Sequence, residues 1–247
     1  MEPLVIVLFV LSILFGIVVQ SMTGFGFGIV VMTLMPFFMP SYGLSLAIST
    51  VLGVLTSYAI AVQCRKDIEW RLLWVPFITS AVANTLAVWI SSTQPDDLLK
   101  IILGIFLVLL GIYFQFFSSK IRIKANKRNG AIAGVLSGVL SGLFGMGGPP
   151  MVVYFLAASD DDKKYMANTQ AFFAMTNTIT VVNRAVNKQL TMDAVPYIVT
   201  GLFLIAIGTF LGRKIRDRIQ PGLLRRFVYI MVSAGGVALI LRSILQG

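Results

Sequence analysis

Between Glu2 and Arg65 the chain carries no charged side chain, an uninterrupted run of 62 residues. Further uncharged runs cover 72–95, 101–119, 129–159, 165–183, 194–212 and 227–241. A helix needs roughly 20 apolar residues to cross a bilayer. Soluble domains carry about 25% charged residues, whereas this chain has 12%, with 57% hydrophobic residues. The pattern predicts an all-α polytopic membrane protein. It excludes a soluble enzyme, and also an outer-membrane barrel, whose strands would be about 10 residues long and alternating.

Residues 4–19 are apolar but follow only Glu2, with no basic segment before them and no small-residue cleavage pattern after them, so the start does not read as a cleaved signal peptide. One cysteine, Cys64, and no histidine leave no disulfide and no expected metal site, and no cofactor is implied. The net charge of +10 reads as basic loops facing anionic lipid rather than as a nucleic-acid surface.

The chain reads as two similar halves, 1–117 and 131–247, joined by a basic linker, 118–130. Gly24-Phe-Gly26-Phe-Gly28 answers Gly145-Met-Gly147-Gly148-Pro149-Pro150. Ala47-Ile-Ser49 answers Ala167-Asn-Thr169, Arg65-Lys66 answers Asn187-Lys188, and Pro76 answers Pro196. The matches keep one order and nearly one offset, as an internal duplication would, and duplications are frequent in transporters.

The run 129–159 is too long for one crossing and too short for two. With glycines and prolines near its middle it predicts a hairpin of two short helices dipping into the bilayer, and 3–42 predicts another. Each half then has three crossings besides, at 43–63, 72–93 and 98–117, then 165–186, 193–212 and 224–244. Three is odd, so the halves are expected to be inverted relative to each other. With both termini outside, sixteen of the twenty lysines and arginines fall in inside loops and only Lys100, Arg184, Lys188 and Arg242 outside. If each hairpin were a single crossing, the division would be eleven to nine. The positive-inside rule favours the inverted arrangement, with the linker cytoplasmic.

The glycine-rich turns are the segments where chemistry is expected. A helix starts after each, near Ile29 and Met151, with free N–H groups and the positive end of its dipole; Pro149-Pro150 suits such a start. Two starts related by inversion could form an anion site without a basic side chain, while the carbonyl ends of the preceding helices oppose it. Candidate substrate-binding residues are Gln20, Ser21, Thr23, Gly24, Gly26, Ser141, Gly145, Gly147, Gly148, Thr169 and Gln170; Asn84, Asn177 and Arg184 are secondary. For Arg184, snorkelling to the interface competes with attraction of an anion. Gly134 and Gly138, and the Gly208/Gly212 pair, read as small-residue stripes for close helix packing.

Taken together, the paired glycine turns, the Ala-x-Ser/Thr span starts, the basic corner and the closing Gly201, Gly208, Gly212, Arg213-Lys214-Ile215 and Leu224-Arg225-Arg226 resemble the TauE/SafE sulfite exporter family over residues 5–245. The resemblance implies a prokaryotic plasma-membrane permease for a small sulfur-containing anion such as sulfite or a sulfonate; with the site placed between the turns, alternating access is the expected mode. An anion channel built on the same turns is the alternative. The expected partners are that anion and the bilayer, with the oligomeric state open. An intramembrane enzyme lacks a nucleophile–base pair or paired carboxylates, and a metal-ion transporter lacks ligands in the spans.

Overall fold

The computed structural model describes residues 3–116, 123–216 and 221–246. Among these there are ten α-helices and no strands: α1 Pro3–Thr23, α2 Phe27–Leu34, α3 Tyr42–Ala61, α4 Trp70–Thr93, α5 Asp96–Phe116, α6 Lys127–Phe144, α7 Gly148–Ala158, α8 Asp162–Val186, α9 Val195–Arg216 and α10 Pro221–Gln246. Short 3-10 turns follow α2 and α3 and precede α9. Lys120 and Arg122 of the basic linker, Asp217 and Arg218 of the last basic loop, and Glu2 lie outside the described residues.

Charge and capping set the boundaries. Ser41 opens α3 by accepting from the Leu44 N–H, Asn126 opens α6 through the Asn129 N–H, and Asp161 opens α8 through the N–H groups of Lys163 and Lys164. Those amides, the Lys164 N–H foremost, hold the Asp161 carboxyl below its ordinary range. Lys164 in turn bonds Glu69 and Asp160, each at 3.1 Å, fixing the corner between α3 and α4 to the start of α8.

Among the described residues, five helices are long and apolar enough to cross a membrane: α1, α3, α4, α5 and the stretch Met192–Gly212 that holds most of α9. This is a multi-pass membrane protein. Ile78, Val82 and Leu86 of α4, with Leu109 of α5 and Phe203 and Phe210 of α9, lie exposed on its outer surface. Helix α8 has the length, 25 residues, but not the apolar composition, because protein surrounds it: Asn168, Thr169, Gln170, Thr180 and Arg184 are all fully buried.

Neighbouring helices repeat between the halves. Helix α4 packs on α6 and α9 on α1; α4 also touches α8, and α9 touches α3. Helix α3 lies against α8 and α5 against α10. Exchanging the halves maps each of these pairs onto another or onto itself. Thr50 meets Arg184 while Tyr58 meets Thr178, so α3 and α8 run antiparallel. Gly104 meets Gly236 and Ile240 while Gly111 meets Tyr229 and Ser233, so α5 and α10 do as well. The expected packing stripes are present: Gly134 and Gly138 lie on Pro76 and Ser80 of α4, and Gly208 and Gly212 on Ile17 and Ser21 of α1.

One expectation needs correction. The hairpins are not built from two short helices each, since α1 has 21 residues and α6 has 18, against 8 in α2 and 11 in α7. Nothing between Pro3 and Gly24 breaks a helix, so the first arm runs on for about 31 Å. The turns consequently lie beyond the middle of the helices they pack on. Ser21 sits against Gly212 near the end of α9, and Gly142 against Ala87 near the end of α4.

Candidate functional site

Each turn is held by donors from both halves of the chain. At the first, Gly24 and Gly26 take φ of 82° and 106°, the left-handed region that only glycine enters without strain. The carbonyl of Thr23 accepts from the Tyr165 hydroxyl at 3.0 Å, that of Gly24 from Gln170 Nε2 at 2.8 Å, and that of Phe25 from the Thr23 hydroxyl at 2.7 Å. At the second, Gly145 closes α6 at φ 68° and its N–H returns to the Ser141 carbonyl. There the Leu143 carbonyl accepts from the Tyr42 hydroxyl at 3.0 Å, the Gly147 carbonyl from the Ser137 hydroxyl at 2.6 Å, and the Gly142 carbonyl from Arg184 Nη2 at 2.8 Å.

Several carbonyls at the ends of α1 and α6 are therefore occupied by donors, which offsets part of their negative field. The helix starts are not. No side chain caps α2 at Gly26 or α7 at Gly147. The start of α2 passes the second turn closely enough that a Cβ on Gly28 would lie 2.3 Å from the carbonyl oxygen of Gly145, the residue that ends α6. Between them is a cavity of about 30 Å³, lined by Gln20, Gly26–Ile29, Ser49, Thr50, Gly53, Gly145–Gly148, Phe173 and Asn177. That is room for a water-sized group, so the turns enclose the space tightly. What the arrangement offers is a cluster of N–H donors and polar side chains with the positive ends of two dipoles, the chemistry that binds anions.

The family model described as sulfite exporter TauE/SafE matches residues 8–239. The chain belongs to that family. It is 25% identical over 239 residues to a protein of Cupriavidus necator described as a "probable sulfite/organosulfonate exporter TauE", covering 93% of this chain and 91% of that one. No solved structure matches it.

In this TauE/SafE chain, the residues read from the sequence fall into two groups. Gln20, Gly26, Gly145, Gly147, Gly148 and Asn177 line the cavity. The others stand around it. Gln170 links Gln20 to the first turn, donating to Gly24 and accepting from Gln20 Nε2 at 3.1 Å; Thr23 holds that turn from within. The Ser141 and Thr180 hydroxyls bond each other at 3.2 Å. Ser21 lies at the contact of α1 with α9, Thr169 is fully buried with an unpartnered hydroxyl, and Asn84 joins α4 to Asn183 and to the Gly138 carbonyl.

Arg184 does not snorkel. It is 0% exposed. Its Nε donates to Thr50 Oγ1 at 3.2 Å, Nη1 to Gln189 Oε1 at 2.8 Å, and Nη2 to the Ser141 and Gly142 carbonyls. Outward extension would take its donor from the Gly142 carbonyl at the end of α6, and the local carbonyl dipoles favour a cation. The guanidinium thus lies one hydrogen bond, through Thr50, from the cavity wall.

The sequence reading passed over Ser49, Thr50 and Gly53. A signal was present, because Ser45, Ser49, Gly53 and Ser57 recur at four-residue spacing and place a small polar face on α3. Ser49 also stands opposite Thr169 in the repeat, but of the two only Ser49 reaches the cavity.

Proposed function

We propose that this TauE/SafE member is a permease for a small sulfur-containing anion, bound between the two turns and carried by alternating access. The observation that carries the reading is that the starts of α2 and α7 have no side-chain cap and border one cavity, while the Thr23, Gly24, Gly142 and Leu143 carbonyls beside them are occupied by donors. The printed description of the Cupriavidus necator relative supports sulfite or an organosulfonate as the cargo. The antiparallel pairing of α3 with α8 and of α5 with α10 supports halves inverted about an axis in the membrane plane.

The halves also differ in a way that suits alternating access. Helix α10 closes on the first hairpin, with Gly235 against Thr33, whereas α5 stands off the second across an apolar groove of about 460 Å³ lined by residues such as Phe106, Tyr113, Leu136 and Pro149. Exchanging these two arrangements would close the second hairpin and open the first. In a channel the paired turns would frame a continuous path, so saturable counterflow of labelled sulfite in proteoliposomes separates the readings. Counterflow supports the carrier; linear, unsaturable flux overturns it.

The same assay tests energy coupling. The eight described acidic residues, all but Glu2 and Asp217, lie at helix ends or in connecting segments, and no histidine exists to replace a membrane carboxylate. Pumps that bind a proton usually place an ionisable group within the membrane. At clamped potential, the pH dependence is expected to follow the protonation of each substrate and to differ between two anions of well-separated pKa. A shared midpoint would require a titrating protein group.

Topology is tested by cysteine labelling on a Cys64→Ser background. Positions 124 and 214 are expected to react only from the cytoplasmic side and position 188 only from outside, with both termini external. Labelling of position 124 from outside would overturn the inverted arrangement.

A further inference from the structure

Hydroxyl groups within the helices mostly satisfy themselves by donating to the carbonyl four residues earlier: Thr33 to Ile29, Thr50 to Leu46, Thr56 to Leu52. Ser49 does not. It is 1% exposed, its hydroxyl has no partner, and it lines the cavity between the turns. A buried polar atom without a partner costs stability. Among the described residues, three other buried hydroxyls share that condition, Ser21, Ser80 and Thr169, but Ser49 alone of the four borders the cavity.

Its position complements a defect in the backbone. Helix α2 opens with Phe27, Gly28 and Ile29, whose N–H groups precede the first intrahelical bond, donated by Val30 to the Gly26 carbonyl. Helix α7 opens Gly148-Pro149-Pro150, and proline has no N–H, so its first turn lacks two of the donors a helix start normally presents. The Ser49 hydroxyl borders the same cavity as Gly147 and Gly148 at the start of α7, and lies 3.7 Å from where a Cβ on Gly145, at the end of α6, would be. Next to it in the chain, Thr50 Oγ1 accepts from Arg184 Nε, which places a buried cation directly behind this wall.

We propose that Ser49 is a direct hydrogen-bond donor to the transported anion, adding a donor to a cavity in which the start of α7 supplies few. The ligand class is an oxyanion, because donors then converge from two sides, α2 and Ser49, on acceptors that separate oxygen atoms supply. This deepens the permease reading and rests on it. Ser49 is held unpaired so that the anion completes it, and the stability lost in the free protein returns as binding energy.

The test pairs stability with affinity in the purified full-length protein, using sulfite and methanesulfonate as probes and calorimetric titration as the readout. Ser49→Ala is expected to melt at or above the wild-type temperature, since it removes an unpaired polar atom, and to bind both anions roughly tenfold or more weakly. Ser80→Ala removes an equally buried unpaired hydroxyl away from the cavity; it should match Ser49→Ala in stability and the wild type in affinity. Wild-type affinity in Ser49→Ala, or a melting temperature well below wild type, overturns the donor role. Wild-type protein that binds neither anion overturns the permease reading itself, and this inference with it.

Discussion

Gly28→Ala is expected to abolish transport in a protein that still folds and inserts. Gly28 is the second residue of α2, and in helical backbone alanine is favoured over glycine by about 1 kcal/mol, so local propensity predicts a small gain. The opposing half decides otherwise. A Cβ there would stand 2.3 Å from the Gly145 carbonyl oxygen, 3.3 Å from its carbon and 3.4 Å from the Met146 Cα. All three are backbone atoms, with no side-chain rotamer to turn aside. Restoring ordinary contact moves the turns apart by about 1 Å, the scale of misplacement that can cost about a hundredfold where function depends on positioned groups. Counterflow should fall by at least that factor. Gly43→Ala, which meets nothing within 4 Å, should transport normally. Gly53→Ala lines the same cavity at ordinary contact distances, 3.6 Å from Asn177 and Phe27, and should retain most activity. Gly147→Val is a poorer probe, because a Cβ there meets the Ser137 carbonyl at 2.7 Å and disturbs the fold of the second hairpin directly. Wild-type counterflow in Gly28→Ala would mean that the turns need not touch at any stage of the cycle.

Why the fold was readable and part of the site was not follows from where each signal resides. Uncharged runs locate helices because a membrane excludes charge, and the six predicted crossings fall within a few residues of α3, α4, α5, α8, α9 and α10. The turns were legible because left-handed backbone demands glycine at Gly24, Gly26 and Gly145. The length of α1 was not, since no charge divides Pro3 from Gly24 and a long arm reads like a short one. Arg184 failed for a different reason. A cation at the end of an uncharged run looks the same whether it reaches solvent or turns inward, and the carbonyls that decide the matter, on Ser141 and Gly142, lie more than forty residues away. Ser49 was masked by its surroundings: within an apolar helix a serine is commonly a packing residue, and its missing hydrogen bond is a property of three-dimensional structure alone.

Replacing Arg184 separates geometry from charge, and it carries the second large expected effect. The guanidinium reaches four acceptors on α3, α6 and the segment after α8. Arg184→Leu removes every one of these donors and leaves the Ser141 and Gly142 carbonyls dependent on the helix end alone. An unsatisfied buried group costs about 1–3 kcal/mol, partly offset here by no longer burying a charge. A lower melting temperature and loss of transport are expected. Arg184→Lys and Arg184→Gln then distinguish the two roles. Neither reproduces the planar fork, so both should lose stability to a similar degree. Only lysine keeps the positive charge behind Thr50. A unit charge within ~10 Å of an anion, at an effective dielectric of about 20, contributes on the order of 1–2 kcal/mol or more, about tenfold in affinity. Sulfite affinity is therefore expected to remain within a few fold of wild type in Arg184→Lys and to fall by more than about tenfold in Arg184→Gln. Equal affinity in the two variants would reduce Arg184 to a cap for α6. The anion would then be held by the backbone and by hydroxyl groups without help from a buried cation.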